Sequence, residues 1–376
     1  MRIGIDARFF GPIGKGLGRY TEKLIENLER LDHENEYFVF LRKANFDDYK
    51  PQNSKFKKVL ADYRWYSLSE QIKLPRLLKR YNLDLVHFPH FNVPLFYRGK
   101  FIVTIHDLIL LHFPTVRSST LSPFIFWLKF LLYRIVIKSA IYRSRKIIAV
   151  SEFTKKDILE NYKKIPSEKI LVTYEACDGD FLQSPYEDSK ILERYGIIKP
   201  YVVYVGNAYP HKNLERLVLA FSDVSREKKN LKLALVGNED YFYRRIKNLV
   251  KDKKIENIVF AGYVPDHDLD TVYFNAELFV WPSLYEGFGL PPLEAMAGGI
   301  PVVSSNHPCM KEILGRSAYY FNGRKKEEIA EAIKKVLGDE ELRNDLIRNG
   351  YEQVKKYDWK QTAEQTLGLY KKVLAI

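Results

Sequence analysis

WPSLYEGFGLPPLEAMAGGIPVVS, residues Trp281 to Ser304, places a strand end, a glycine-bearing loop and two carboxylates in one short run. Leu278 to Trp281 predicts a short buried strand, Pro282-Ser283 a turn, and Gly287 and Gly289 the backbone freedom for a tight approach to a ligand. Pro291 and Pro292 suit the first turn of a following helix, where a missing N–H costs nothing, and Gly298-Gly299 ends it before a strand at Pro301 to Ser304. A helix so short is marginal alone. The run therefore predicts one βα repeat whose helix N-terminus faces a crevice beyond the strand ends, a site for an anion. Glu294 falls in the first helical turn, where it would repel a phosphate unless donors hold it aside. An ionised carboxylate only accepts hydrogen bonds and a ribose diol offers two, so diphosphate on the backbone and ribose on Glu294 is coherent. Glu286, on the loop, is then free to face whatever group the diphosphate carries.

These two glutamates, within PSLYEGFGLPPLEAMAGGIPVV, resemble the donor-site signature of the retaining glycosyltransferases of family 4. The resemblance implies an α/β chain of the GT-B fold, with two Rossmann-like parallel-sheet domains facing a central crevice. It implies a nucleotide-diphosphate sugar as donor, with Glu286 on the sugar, Glu294 on the ribose, and the Gly287, Phe288, Gly289 and Leu290 backbone near the phosphates.

The rest of the chain fits that division. A length of 376 residues exceeds one ordinary core and suits two domains, and 46% hydrophobic residues make the chain globular. Cys177 and Cys309 have neither metal-ligand nor disulfide-framework spacing, which fits a reducing cytosol. MRIGIDARFF enters a strand pattern without the features of a secretion signal, so a cytoplasmic protein is expected. The net charge of +13 is concentrated in residues 1–180, where 31 Lys and Arg face 20 Asp and Glu. Such a field suits nucleic acid, an anionic membrane or a phosphate-bearing substrate. Nucleic acid is the weaker reading, for want of an RNA-binding aromatic signature, zinc-finger spacing or helix-turn-helix.

Arg2 to Asp6 predicts a strand, GPIGKGLGRY a glycine loop, and Arg19 to Leu31 a helix. The loop departs from the dinucleotide fingerprint; GLGRY resembles the family loop over the donor phosphates and acceptor, which singles out Gly16. Tyr37 to Leu41, Leu83 to Phe88, Phe101 to Ile105 and Ile147 to Val150 alternate with helical stretches, predicting a parallel sheet with ligands beyond its strand ends. His106 and Asp107 fall at one such end. VTIHDLILLHFP resembles the family segment whose histidine, here His106, faces the transferred sugar and acceptor; His112 reads as structural.

Ser122 to Arg145 is the most apolar stretch, but Lys129, Arg134 and Lys138 interrupt it, so it does not span a membrane. It reads either as a buried or half-buried helix or as an interfacial helix dipping aromatic residues into lipid headgroups, and the basic first half tips the balance to the membrane surface. An acidic stretch from Asp178 to Asp188 reads as the hinge. The expected domains are 1–180 for the acceptor, 196–355 for the nucleotide sugar, and a 356–376 helix crossing back to the first.

In the second half, YVVYVGNAYPHKN puts Lys212 beyond a strand, where it resembles the family lysine that neutralises the departing diphosphate. Many family members carry a second basic residue where this chain has Asn207. Compensation is expected from the Phe288 to Leu290 amides, the helix dipole or a residue such as Arg19. Gly262 and Tyr263 lie where family members place the base. Asp266-His267-Asp268 reads as a polar helix start rather than a metal motif, and no metal or other cofactor is expected.

The reading is a hexosyltransferase, with mannose favoured and GDP-mannose preferred over UDP-sugars, acting on a glycan or polyprenyl-linked acceptor in cell-surface polysaccharide synthesis. A GT-B-like sugar-nucleotide epimerase and a non-catalytic nucleotide-sugar-binding protein are the alternatives. A phosphorylase lacks an identifiable pyridoxal-phosphate lysine site, and an NAD dehydrogenase lacks its fingerprint.

Overall fold

A computed structural model describes residues 1–114, 122–177 and 189–375. The chain divides into two compact units, one of Met1–Leu110, Ser122–Glu175 and Asp358–Ile376, the other of Leu111–Leu121 and Ala176–Tyr357. The hinge expected at Asp178 to Asp188 lies outside the described residues.

The first unit is built on seven parallel strands: β1 (Arg2–Asp6), β2 (Glu36–Leu41), β3 (Phe56–Leu60), β4 (Leu85–Phe88), β5 (Phe101–Ile105), β6 (Lys146–Ala149) and β7 (Ile170–Val172). Their order is β3-β2-β1-β4-β5-β6-β7. The chain runs outward from β1 in one direction and from β4 in the other, so the loops after β1 and β4 part at a topological switch point, where open α/β sheets hold ligands. β1, β4 and β5 are almost wholly buried, as strands of a parallel sheet covered on both faces are. The last helix, Trp359–Leu374, packs in this unit along Lys15–Leu31. Its Tyr370 hydroxyl meets His87 Nδ1 at 2.7 Å, while His87 Nε2 meets Thr104 Oγ1 at 2.8 Å. Burial holds that imidazole neutral, with a pKa pulled down to about 3.

The second unit carries β8 (Tyr201–Val205), β9 (Lys232–Val236), β10 (Ile258–Gly262), β11 (Leu278–Trp281), β12 (Val302–Ser305) and β13 (Ala318–Phe321). They are parallel, in the order β10-β9-β8-β11-β12-β13. Its switch point falls between β8 and β11.

Two expectations need correction, and the alternatives left open for residues 122–145 narrow. The helix predicted from Arg19 begins at Lys15, after a 3-10 turn at Pro12–Gly14, so Gly16 and Gly18 are helical rather than loop residues. A Cβ on Gly18 would stand 2.0 Å from the Gly11 carbonyl oxygen, whereas one on Gly16 would meet nothing within 4 Å. Gly18 lets the helix start lie against the preceding loop, and Gly16 is not required by packing. The helix at Pro123–Arg143 is half-buried: Phe124, Ile125, Trp127, Leu128, Leu131, Leu132, Ile135 and Tyr142 are each more than a third exposed. Its apolar residues run all the way round, and only one side, with Phe126, Ile137, Ala140 and Ile141, meets the unit. No described helix is long and apolar enough to cross a membrane. Lastly, residues 1–110 and 122–175 form the first unit without the segment beginning at Leu111, whose His112 ring stacks on Tyr285 of the second unit at 4.8 Å.

Candidate active site

In the second unit the switch point brings two loops together. The loop after β8 ends in a 3-10 turn, Pro210–Lys212, followed by Asn213 at φ +64°. The Asn213 amide donates to the carbonyls of Pro282 (3.0 Å) and Gly323 (2.7 Å), and Leu284 N–H donates to the His211 carbonyl at 2.7 Å. These bonds fix the lysine turn onto the loops that follow β11 and β13.

Lys212 Nζ consequently lies 2.7 Å from Glu286 Oε1, with both side chains about nine-tenths buried. The ammonium also sits 4.7 Å from the centre of the Trp281 ring, itself stacked on Tyr204. A cation removed from water keeps part of its stabilisation through a carboxylate and an aromatic face. Glu286, which the sequence placed on the loop to face the transferred group, is buried against Lys212: a carboxylate this buried needs a partner, and Lys212 is within reach.

The next helix, Leu290–Ala297, starts from Gly289 at φ +96°, where a Cβ would stand 2.7 Å from the Met310 methyl carbon. Two of its first four residues, Pro291 and Pro292, lack an N–H, so the helix end offers Leu290 and Leu293 as donors together with its dipole. Glu294 lies one residue beyond the first turn and is buried, accepting the Tyr273 hydroxyl on Oε2 at 3.0 Å. Gly287 and Phe288 form the loop between Glu286 and this helix. Asn207 follows Gly206, with its Oδ1 3.3 Å from Tyr209 N–H and its carbonyl receiving the Tyr204 hydroxyl at 2.7 Å. Gly262, at φ +73°, ends β10 and exposes Tyr263. Asp266-His267-Asp268 opens a helix, and Asp268 receives Arg194 and Tyr195.

In the first unit, His106 follows β5. Its Nδ1 lies 2.9 Å from Glu175 Oε1 and its Nε2 2.9 Å from the Pro89 carbonyl. A carboxylate and a carbonyl both accept, so the charged ring can donate through both nitrogens. Burial opposes that charge, but the Glu175 carboxylate and the Pro89 carbonyl hold the pKa above its ordinary value. Because the folded pKa exceeds the unfolded value of about 6.5, the stabilisation is complete below about 6.5 and is lost as pH rises through the folded pKa. The His106 Cε1–H resonance is expected to titrate with a midpoint above 6.5, and Glu175→Gln to lower it. The stability gap between wild type and His106→Gln should close toward alkaline pH in urea unfolding; a midpoint below 6.5 counts against the doubly protonated ring.

The structure thus gathers Lys212, Glu286, Glu294, Asn207 and the Gly287 to Leu290 loop in one unit, and places His106 and Gly16 in the other. Glu175, Trp281, Asn213 and Tyr273 were missed. Only contact distant in sequence assigns them a role, and no local pattern marked them.

Residues 14–181 match the family model described as Glycosyltransferase Family 4, and residues 190–353 match Glycosyl transferases group 1. The chain is 27% identical over 379 residues to O-antigen chain mannosyltransferase B of Escherichia coli, covering 95% of this chain and 96% of that one. Among solved structures, sucrose-phosphate synthase from Thermosynechococcus elongatus superposes with a TM-score of 0.77 at 20% identity, over 100% of this chain and 99% of that one. HepE of Anabaena, solved in complex with UDP-glucose, gives 0.75 at 18%, over 99% and 100%. The fold is GT-B, α/β with two parallel sheets.

Proposed function

We propose, for a chain that belongs to the glycosyltransferases of family 4 and group 1, that it moves mannose from GDP-mannose to a glycan or polyprenyl-linked acceptor in cell-surface polysaccharide synthesis, with retention at the anomeric carbon. The buried Lys212–Glu286 pair at the switch point of the second sheet carries this reading. When the bond from the sugar C1 to the diphosphate breaks, its electron pair leaves with the diphosphate, and that growing charge needs a fixed cation. Lys212 supplies it, and the helix N-terminus adds its dipole. The acceptor oxygen forms the new bond to C1 and its proton goes to the departing diphosphate. Glu286, one hydrogen bond from Lys212, accepts from hydroxyls of the hexose, and Glu294 takes the ribose. Similarity to an O-antigen mannosyltransferase favours mannose.

Calorimetry on the full chain with GDP, UDP, GDP-mannose and UDP-glucose tests the donor. GDP and GDP-mannose are expected to bind, and binding of no nucleoside diphosphate overturns the reading. Product analysis separates the alternatives, because transfer releases GDP whereas an epimerase returns an isomeric nucleotide sugar.

The acceptor reading extends to the membrane. The exposed apolar helix Pro123–Arg143 carries Lys129, Arg134 and Lys138, as a surface helix on anionic lipid would. The protein is expected to pellet with anionic but not neutral vesicles at low salt, and Trp127→Glu with Phe130→Glu to remove the binding that survives high salt. Absence of binding to both vesicle types at low salt points instead to a soluble acceptor.

A further inference from the structure

The strongest unexplained feature of the first unit is Tyr66. Among the described residues, five other than glycine have positive φ; three are asparagines, which tolerate that region, and one is a lysine. Tyr66, at φ +59°, is the aromatic exception, and the residue is 65% exposed. Glycine would adopt this backbone without strain and an exposed ring adds little to a core, so a tyrosine here needs another reason.

The fold holds the residue in place with buried charge. Tyr66 N–H donates to Glu70 Oε2 at 2.8 Å. The other Glu70 oxygen accepts from Arg8 and from the Asn92 amide, each at 2.7 Å. Arg8, fully buried, also takes Asp6 through Nε and Nη2, each at 2.7 Å. Above this network stands a group of rings. Phe9 stacks face to face on Trp65 at 4.3 Å and meets His90 at 5.1 Å, while Tyr66 lies 6.4 Å from His90 and 6.5 Å from Phe91. Phe9 follows β1 and His90 follows β4, so the rings occupy the switch point of the first sheet, and Pro89 beside them receives His106.

We infer that Tyr66 and His90, backed by a Trp65 ring held between Phe9 and the Arg42 guanidinium, form an aromatic shelf that binds a neutral pyranose ring of the acceptor glycan, an assignment that rests on the glycosyltransferase reading above. The C–H face of a pyranose is polarised to match the negative face of an aromatic ring, and rigid amphipathic rings bind with little loss of side-chain freedom. Beneath the rings two carboxylates, Asp6 and Glu70, share the Arg8 guanidinium. Strain at Tyr66 then keeps a ring in solvent at the point where a sugar would stack.

The test uses the full chain as wild type, Tyr66→Phe and Tyr66→Gly, with α-mannotriose, maltotriose and chitotriose as probes. Saturation-transfer NMR is expected to show wild-type contact to the C–H face of at least one probe, retained in Tyr66→Phe and lost in Tyr66→Gly. In transfer assays with that probe the acceptor KM should rise about tenfold or more in Tyr66→Gly. The melting temperature of Tyr66→Gly should equal or exceed that of wild type, since glycine relieves the strain. Unchanged saccharide binding in Tyr66→Gly overturns the shelf, as does failure of wild type to contact any of the three probes. Wild-type binding of GDP-mannose, measured alongside, reports on the donor reading separately.

Discussion

Lys212→Ala is expected to lower kcat about 10²–10³-fold with GDP-mannose as donor, while wild-type activity survives excess EDTA. The first figure follows from the loss of one preorganised charge at a developing anion, worth about 2.7–4 kcal/mol of barrier in a comparable site. In the turn Pro210–Lys212 the cation is Lys212, since burial holds the adjacent His211 neutral with a pKa lowered to about 3. The variant also leaves Glu286 buried without its ammonium, so a lower melting temperature should accompany the rate loss. Circular dichroism at the assay temperature keeps the two effects apart. Steady-state rates with and without chelator decide the charge balance: abolition by EDTA with recovery in magnesium would mean that a metal, and not Lys212, carries the diphosphate.

Arg8→Ala is expected to cost about 3–5 kcal/mol of stability, because it strands two carboxylates in the first unit. Arg8 is fully buried, with Asp6 and Glu70 as its ion partners, and its Nη1 also reaches the Tyr63 carbonyl at 3.3 Å. Burial already holds the Glu70 carboxyl above its ordinary pKa despite Arg8, and removing the guanidinium pushes it further. A carboxyl whose folded pKa exceeds its unfolded value takes up protons on folding, so the variant should regain stability as pH falls through that raised pKa. Urea unfolding at neutral and acidic pH measures this. Replacing the charges together, with Asp6→Asn, Arg8→Met and Glu70→Gln, should cost much less than Arg8→Ala alone. A loss below about 1 kcal/mol in Arg8→Ala would place the network in contact with water.

Much of the fold was legible because apolar strands and amphipathic helices have different periods. Phe101 to Ile105 and Tyr201 to Val205 needed no tertiary context, since both faces of a covered parallel strand must be apolar. β3, FKKVL, was missed: it is an edge strand whose lysines face water, so it lacks that run. β13, AYYF, was missed at an edge of the second sheet, too short for a pattern to develop. The glycine loop misled for a different reason. Glycines permit close backbone packing as readily as they permit turns, and at Gly18 the packing of a helix start decided the outcome.

By itself the sequence determined the α/β alternation, the division into two sheet-building halves, and the loop, prolines and glutamates that follow β11, because each is written in neighbouring residues. Only the tertiary structure decided what those residues touch. Lys212 meets Glu286 across 74 positions and His106 meets Glu175 across 69. It also decided that Glu286 is buried against Lys212, and that Tyr66 is held at positive φ by Glu70 and Arg8. The reason is sheet order. Whether β8 lies beside β11, or β1 beside β4, is set by how the whole chain covers its strands, and no local period encodes it. Yet that order chooses which loops share a switch point, and so which charges must neutralise one another once water is excluded.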